Sequence, residues 1–307
     1  MSTEPVRRVL VLYTGGTIGM KQGRSGYAPV PGFLRYQLER LPQFHDPDHP
    51  PLTTPPGRWG RRVQFEILES DPLRDSSSMA VGDWVRIAED IGRNYDAYDG
   101  FVVLHGTDTM AYTASALSFM LQNLGKPVVL TGSQIPLAEL RNDAIDNLLD
   151  ALTLAGLHDI PEVCVFFHHR LLRGNRCRKV DAQSLDAFDS PNHPPIAKVG
   201  VDVEVDWEHV PSRPKDPLVV KPILHPEVAA LRLFPGMSGA LLRSFLEARV
   251  QGLVLETYGA GNGPARPDLL EALHDAFQNG VVVVNVTQCQ RGRVRSSYAA
   301  GQRLFDV

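Results

Sequence analysis

The stretch Val9-Leu10-Val11-Leu12-Tyr13-Thr14-Gly15-Gly16-Thr17-Ile18-Gly19 decides how the rest of the chain is read. An apolar run enters a turn of small residues without a polar break. Such a run marks a strand covered on both faces, as in a parallel sheet. Phe101-Val102-Val103-Leu104 followed by His105-Gly106-Thr107-Asp108-Thr109 repeats the arrangement. An open α/β sheet places its chemistry just beyond the carboxyl ends of such strands. Two such turns suggest a site with two hydroxyls and a carboxylate.

Outward from these junctions, strand and helix patterns alternate. Gly32 to Leu41 reads as a short helix, and residues 42–61 as a surface loop rich in Pro, His and Arg. Val63 to Leu68 reads as a strand, Asp71 to Ser78 as a polar turn and Val81 to Asn94 as a helix. Leu117, Met120, Leu121 and Leu124 keep helical spacing, as do Ile145, Leu148, Leu149 and Leu152. Pro127 to Leu130 and Val163 to Phe167 are further buried strands. This alternation predicts a parallel sheet with right-handed crossovers.

Prolines 191, 194, 195, 211, 214, 217 and 222 then interrupt the pattern. They predict a linker over 191–222, between an N-terminal domain at 1–190 and a smaller one at 223–307. The second domain repeats the alternation: strand Val228 to Phe234, helix Ser238 to Arg249, strand Gly252 to Glu256, helix Pro267 to Asn279, strand Val281 to Val286. The expected fold class is α/β, a larger, mainly parallel open sheet flanked by helices plus a smaller C-terminal α/β domain.

With 43% hydrophobic and 21% charged residues, the chain has an ordinary globular composition. A net charge of −4 supplies no strong field, so neither nucleic acid nor a membrane is an expected partner. Cys164, Cys177 and Cys289 have neither a disulfide-scaffold nor a metal-site spacing, which fits a reducing compartment. The start at Met1 lacks signal-peptide features, and no apolar run has membrane-spanning length, so a cytoplasmic protein is expected. The Gly-x-Gly-x-x-Gly, P-loop, His-Glu-x-x-His and Gly-x-Ser-x-Gly patterns are absent, so neither a cofactor nor a metal is expected.

A threonine hydroxyl is a weak nucleophile that needs a base or relay. Thr17 lies in a turn whose glycines let the backbone approach a ligand, and Tyr27 comes ten residues on, at the end of the glycine-rich stretch that begins at Gly19, a loop able to close over a site. Taken alone, the same turn reads equally well as a tight βα connection with Thr17 as a cap. Thr107 and Asp108 offer a second hydroxyl and an acid, or else an N-cap for the helix that follows. Asp75-Ser76-Ser77-Ser78 can grip a carboxylate, or form a capping turn. Lys179, after Arg173-Gly174-Asn175-Arg176, reads as solvated surface unless it meets Asp108 or is buried.

Taken together, these segments resemble one family. Val11 to Met20 and His105 to Met110 resemble the two signatures of the bacterial-type L-asparaginases. Leu130-Thr131-Gly132-Ser133-Gln134-Ile135-Pro136-Leu137, Arg141-Asn142-Asp143, Arg173 to Arg176 with Lys179, and Gly261-Asn262-Gly263 are similar to its cytoplasmic type I branch. The resemblance implies hydrolysis of L-asparagine to L-aspartate and ammonia. It implies Thr17 as the nucleophile, Tyr27 as a residue that helps take its proton, and Thr107, Asp108 and Lys179 as a second triad in which Lys179 adjusts Thr107 and helps to activate water. It further implies that Asp108 binds the substrate ammonium, that Asp75, Ser76 and Ser77 serve the substrate carboxylate, and that Asn262 is contributed by a neighbouring subunit. A homodimer or homotetramer with sites at subunit interfaces follows. Backbone N–H groups can hold the oxyanion, so the chemistry requires no metal.

Two departures from the family stand out. Glu256 occupies the position of an effector-site arginine, while Cys289 of that site is present. An acid repels an effector carboxylate, so this cooperativity is not expected to be retained unaltered. After Tyr298 to Leu304 the family continues into a last helix, whereas this sequence ends at Val307, so an uncovered apolar face is expected. Two other readings compete. One is the asparaginase-like subunit of a tRNA-dependent amidotransferase, which carries an additional N-terminal domain for which a first strand near Arg8 leaves no room. The other is an amino-acid-sensing module without turnover, which has no use for both hydroxyls.

Overall fold

The computed structural model describes residues 6–24, 26–57, 60–222, 227–246, 250–295 and 301. The chain divides into two compact units, Met1–Ile223 and Leu224–Val307. In the first, β1 (Arg7–Gly15), β2 (Val63–Arg74), β3 (Gly100–Leu104), β4 (Val128–Thr131), β5 (Val163–Phe167), β6 (Arg170–Arg173), β7 (Ala197–Val199) and β8 (Val203–Val205) form one sheet. The order across it is β8-β7-β6-β5-β4-β3-β1-β2. The first five strands are parallel. Their order, 2-1-3-4-5, is that of the doubly wound flavodoxin-like sheet, whose switch point lies between β1 and β3.

The apolar runs behave as their composition demands. Val9 to Tyr13 and Phe101 to Leu104 are buried along their whole length, because helices cover both faces. Helices α1 (Phe33–Leu38), α2 (Val81–Asn94), α3 (Met110–Met120) and α4 (Ala144–Leu157) connect the strands. Leu148, Ala151, Leu152 and Ala155 of α4 join Val9, Val11, Val102 and Val129 in one core. The Asp83 carboxylate accepts the N–H of Ala80 and fixes the start of α2.

The sheet departs from the expected parallel pattern beyond β5. β5 and β6 pair antiparallel across a two-residue turn, His168-His169, with both residues at positive φ (45° and 64°). Two residues cannot carry a crossover, so the chain must reverse. The expected linker over 191–222 is likewise corrected. Ala197–Val199 and Val203–Val205 extend the main sheet, and Val219–Val220 pairs with Leu121–Gln122. The segment therefore belongs to the first unit, with its prolines lying between short strands. The Gly19 to Gly26 stretch is not an irregular loop: Met20–Gly23 and Gly26–Pro29 pair as an antiparallel hairpin.

In the second unit β9 (Val228–Arg232), β10 (Gly252–Thr257) and β11 (Val282–Thr287) form a parallel sheet in that order. α5 (Gly239–Leu246) and α6 (Pro267–Gln278) supply Leu242, Leu269 and Leu273 to a core with Leu253 and Leu255. The expected helix end at 247–249 and the terminal segment 302–307 lie outside the described residues. Among the described residues no helix is long and apolar enough to cross a membrane, and no cluster of His, Cys, Asp and Glu could hold a metal ion.

Candidate active site

Three turns meet at the carboxyl ends of β1, β2 and β3. Gly16 has φ 81°, and a Cβ added there would lie 2.3 Å from the backbone N of Gly106. A Cβ on Gly106 would lie 2.6 Å from Ser76 Oγ. Only glycine permits these approaches. The Gly16 N–H donates to the Arg74 carbonyl at 3.0 Å, and the Thr14 hydroxyl donates to the Leu104 carbonyl at 2.9 Å. The turns bearing Thr17, Ser76 and Thr107 are thus held side by side at the switch point.

Lys179 Nζ donates to Thr107 Oγ1 and to Asp108 Oδ1, both at 2.8 Å. The Thr107 hydroxyl donates in turn to Gln134 Oε1 at 3.1 Å. Lys179 is placed by a short ribbon, Arg178–Lys179 paired with Phe188–Asp189, in which Phe188 is buried. The lysine side chain is 18% exposed and that of Asp108 64%, so the carboxylate keeps a face open to a second cation. A charged donor on the Thr107 oxygen stabilises negative charge developing there.

Beneath this group His105 is fully buried, and burial holds its pKa below the usual range. The Gly106 carbonyl, 2.7 Å from Nδ1, can only accept, so Nδ1 carries the proton and Nε2 accepts from the Thr113 hydroxyl at 2.8 Å. The neutral imidazole thereby pins the Thr107 turn to α3.

Thr17 opens a single 3-10 turn, Thr17–Gly19, and is half-buried. Among the described residues its hydroxyl has no hydrogen-bond partner. Ser76 is buried at the start of the turn Ser76–Ser78, and its carbonyl accepts the Thr109 hydroxyl at 2.7 Å. Asp75 caps that turn, accepting the Ser77 hydroxyl at 2.6 Å and the Ser77 N–H at 2.8 Å. These bonds hold the Asp75 carboxyl below its usual range.

Tyr27 lies elsewhere on this surface, on the hairpin. Its hydroxyl donates to Glu139 Oε1 at 2.6 Å, and that bond raises its pKa above the usual range. No hydrogen bond joins Tyr27 to Thr17 among the described residues. Asn262 belongs to the second unit, where it exchanges both backbone hydrogen bonds with Tyr258 at 2.8 and 2.9 Å. Its Oδ1 is buried with no hydrogen-bond partner among the described residues. Glu256 lies 3.7 Å from the Arg232 guanidinium, and Cys289 is exposed.

The structure therefore joins Thr107, Asp108 and Lys179 directly and sets the Thr17 and Ser76 turns against them. Tyr27 is bonded to Glu139, and Asn262 belongs to the second unit. Gln134 and His105 stand in sequence motifs that assign neither of them a role. Gln134 follows the carboxyl end of β4, the same kind of position as Thr17 and Thr107, and that was its available signal. Glu139 carried no local signal.

Residues 8–211 match the family model described as Asparaginase, N-terminal, and residues 227–306 match the Glutaminase/Asparaginase C-terminal domain. The chain is 49% identical over 310 residues to the 60 kDa lysophospholipase of Mus musculus, covering 98% of this chain and 55% of that protein. It thus spans about half the length of that relative. It is 48% identical to L-asparaginase 1 of Escherichia coli (strain K12), covering 97% of this chain and 85% of that one. The crystal structure of L-asparaginase I from Vibrio cholerae superposes with a TM-score of 0.87 at 46% identity, covering 98% of this chain and 86% of that one. Similarity of this extent across both units establishes that the chain belongs to the asparaginase family.

Proposed function

We propose that the chain is an amidohydrolase that converts L-asparagine to L-aspartate and ammonia. The observation that carries this reading is the Lys179 ammonium, bonded at once to the Thr107 hydroxyl and the Asp108 carboxylate beside the Thr17 turn. The substrate is a zwitterion with a neutral amide. The open face of Asp108 receives its ammonium, and the Ser76 turn, with N–H and hydroxyl donors, receives its carboxylate. In this scheme the Ser77 hydroxyl, engaged by Asp75, shapes that turn.

The Thr17 oxygen attacks the amide carbon while a proton moves from Thr17 toward the amide nitrogen through the Tyr27 hydroxyl, which takes one proton as it gives up another. Backbone N–H groups of the glycine turns stabilise the oxyanion. The amide nitrogen takes up that proton and leaves as ammonia, giving an acyl-threonine. Water, oriented and deprotonated with the help of Thr107 and Lys179, then attacks the acyl carbon and releases aspartate and the free Thr17 hydroxyl. Asn262 of a second copy completes the site, so the working form is a homodimer or homotetramer.

A coupled ammonia assay with L-asparagine and L-glutamine, run beside a sizing measurement, tests the proposal. Thr17→Val and Thr107→Val each abolish ammonia release while the fold survives. Full activity in either variant removes the assigned roles. Co-purification of a second subunit with tRNA would instead indicate an amidotransferase subunit. Asparagine-dependent thermal stabilisation without ammonia would indicate a sensor. An assay of fatty-acid release from a lysophospholipid covers the activity named for the mouse relative. An acyl chain calls for an apolar groove, whereas the groups gathered here are hydroxyls and charges.

A further inference from the structure

We propose that Glu139 is a positioning residue: its carboxylate fixes the Tyr27 hydroxyl on the same rigid loop that orients Thr107. The inference deepens the amidohydrolase reading and rests on it for its kinetic consequences.

The loop from Gln134 to Asp143 is built as a platform. The buried Asp143 carboxylate accepts the N–H of Gln134 at 3.0 Å and of Ile135 at 3.0 Å. Asn142 Oδ1 accepts the N–H of Ala144 at 3.1 Å and so opens α4, while its Nδ2 donates to the Glu139 carbonyl at 2.8 Å. The Glu139 N–H closes a turn onto the Pro136 carbonyl at 3.0 Å. The Leu137 N–H donates to the Ile18 carbonyl at 3.1 Å, which ties the platform to the turn that carries Thr17. One end of the platform presents Gln134 to Thr107, and the other presents Glu139 to Tyr27.

Tyr27 needs such an anchor. It is 45% exposed, so packing does not hold its ring. The hairpin's own pairing sets Tyr27 opposite Gln22 but gives its hydroxyl no direction. A hydroxyl that donates to Glu139 keeps its oxygen lone pairs free to accept a hydrogen bond from elsewhere. The raised pKa keeps it in that neutral state. Glu139 thus gives an exposed tyrosine a fixed direction, on a platform that also touches the two turns bearing Thr17 and Thr107.

The test compares Glu139→Ala, Glu139→Gln, Tyr27→Phe and the double variant Tyr27→Phe/Glu139→Ala in the full chain. Glu139→Ala lowers kcat by about tenfold with KM changed by less than about twofold, the signature of an interaction used in the transition state. Glu139→Gln, whose carbonyl still accepts the hydroxyl, recovers most of that loss. In the Tyr27→Phe background Glu139→Ala costs nothing further. Amide hydrogen exchange supplies a readout independent of turnover: at residues 20–23 and 26–29 it speeds by about tenfold in Glu139→Ala and stays near wild type in Glu139→Gln. A wild-type protein that releases no ammonia removes the amidohydrolase reading, while exchange still decides the anchor. Unchanged hairpin exchange in Glu139→Ala, or an equal kcat loss with and without the Tyr27 hydroxyl, overturns the inference.

Discussion

Replacing Lys179 with methionine separates a chemical lysine from a structural one, because the two roles predict different magnitudes. Methionine keeps an unbranched apolar stem of similar length, so packing along the stem is retained. What is lost is the donor of two hydrogen bonds of 2.8 Å. The bond to Asp108 involves a carboxylate 64% exposed, and an ion pair screened by water contributes about 0–1 kcal/mol. The bond to Thr107 is charged on one side only, and Thr107 keeps its bond to Gln134. That contribution is about 1 kcal/mol net once water replaces the lysine. The expected stability cost is therefore about 1–2 kcal/mol. The rate is another matter. Under the proposed role, losing the group that polarises Thr107 and relays a proton costs about 10²–10⁴ in kcat, or roughly 3–5 kcal/mol of activation free energy. Urea unfolding measures the first quantity, and ammonia release under saturating L-asparagine the second. A rate loss below about tenfold beside a stability loss above about 3 kcal/mol would show that Lys179 serves the fold and would refute the reasoning.

Three further outcomes follow from the same geometry. Gly16→Ala forces a Cβ to within 2.3 Å of the Gly106 backbone at φ 81°, so urea unfolding should reveal a loss of more than about 2 kcal/mol; wild-type stability would contradict the close approach. Asp150, whose burial lifts its pKa from 3.8 to about 6, binds its proton more tightly folded than unfolded. Its contribution is therefore fully present below about pH 4 and lost as pH rises through about 6. Asp150→Asn should flatten stability over that window and stabilise the protein by about 1–3 kcal/mol at pH 7.5 in a pH series of denaturant melts. Glu162 holds Arg173 through Nε at 2.5 Å and Nη2 at 2.8 Å, with both side chains mostly covered. Glu162→Ala should cost about 2–4 kcal/mol by urea unfolding, and the double variant Glu162→Leu/Arg173→Met less; equal costs would argue against a stranded charge.

The parts of this fold that were legible in the sequence are those decided locally. The helix expected from Val81 to Asn94 has those ends in the structure, because its apolar spacing and its Asp83 cap lie within the same fourteen residues. The parallel strands were legible because burial on both faces demands unbroken apolar runs. What was not legible depends on partners distant in the chain. α3 stops at Met120 although the apolar spacing continues to Leu124, because Leu121 and Gln122 leave the helix to pair with Val220 and Val219. The proline-rich segment was read as a linker for the same reason. Its strands are two or three residues long and exist only where β6 and Leu121–Gln122 already present an edge. Prolines at their borders say where strands cannot continue, but not that a sheet edge waits nearby.

At the site, each small polar side chain carried two readings, and the structure separates them by what each hydroxyl already bonds. Asp75 is a capping residue: both its contacts, to the Ser77 N–H and hydroxyl, satisfy its own turn. One reading made Thr107 or Asp108 the cap of the helix after β3, yet its N-cap position is Thr109, whose hydroxyl goes instead to the Ser76 carbonyl. That single bond has a large consequence. With Thr109 tying the Ser76 turn to the Thr107 turn, neither Thr107 nor Asp108 is needed for the helix, and both face Lys179. Capping and chemistry therefore divide along the chain one residue at a time. A sequence pattern of Thr-Asp-Thr cannot reveal the division, because it is decided by a lysine 71 residues downstream of Asp108 and by a serine turn 33 residues upstream of Thr109. Thr17 stands at the other extreme. Among the described residues its hydroxyl bonds neither cap nor neighbour, so the half-buried Thr17 side chain is left to a partner that its own turn does not supply.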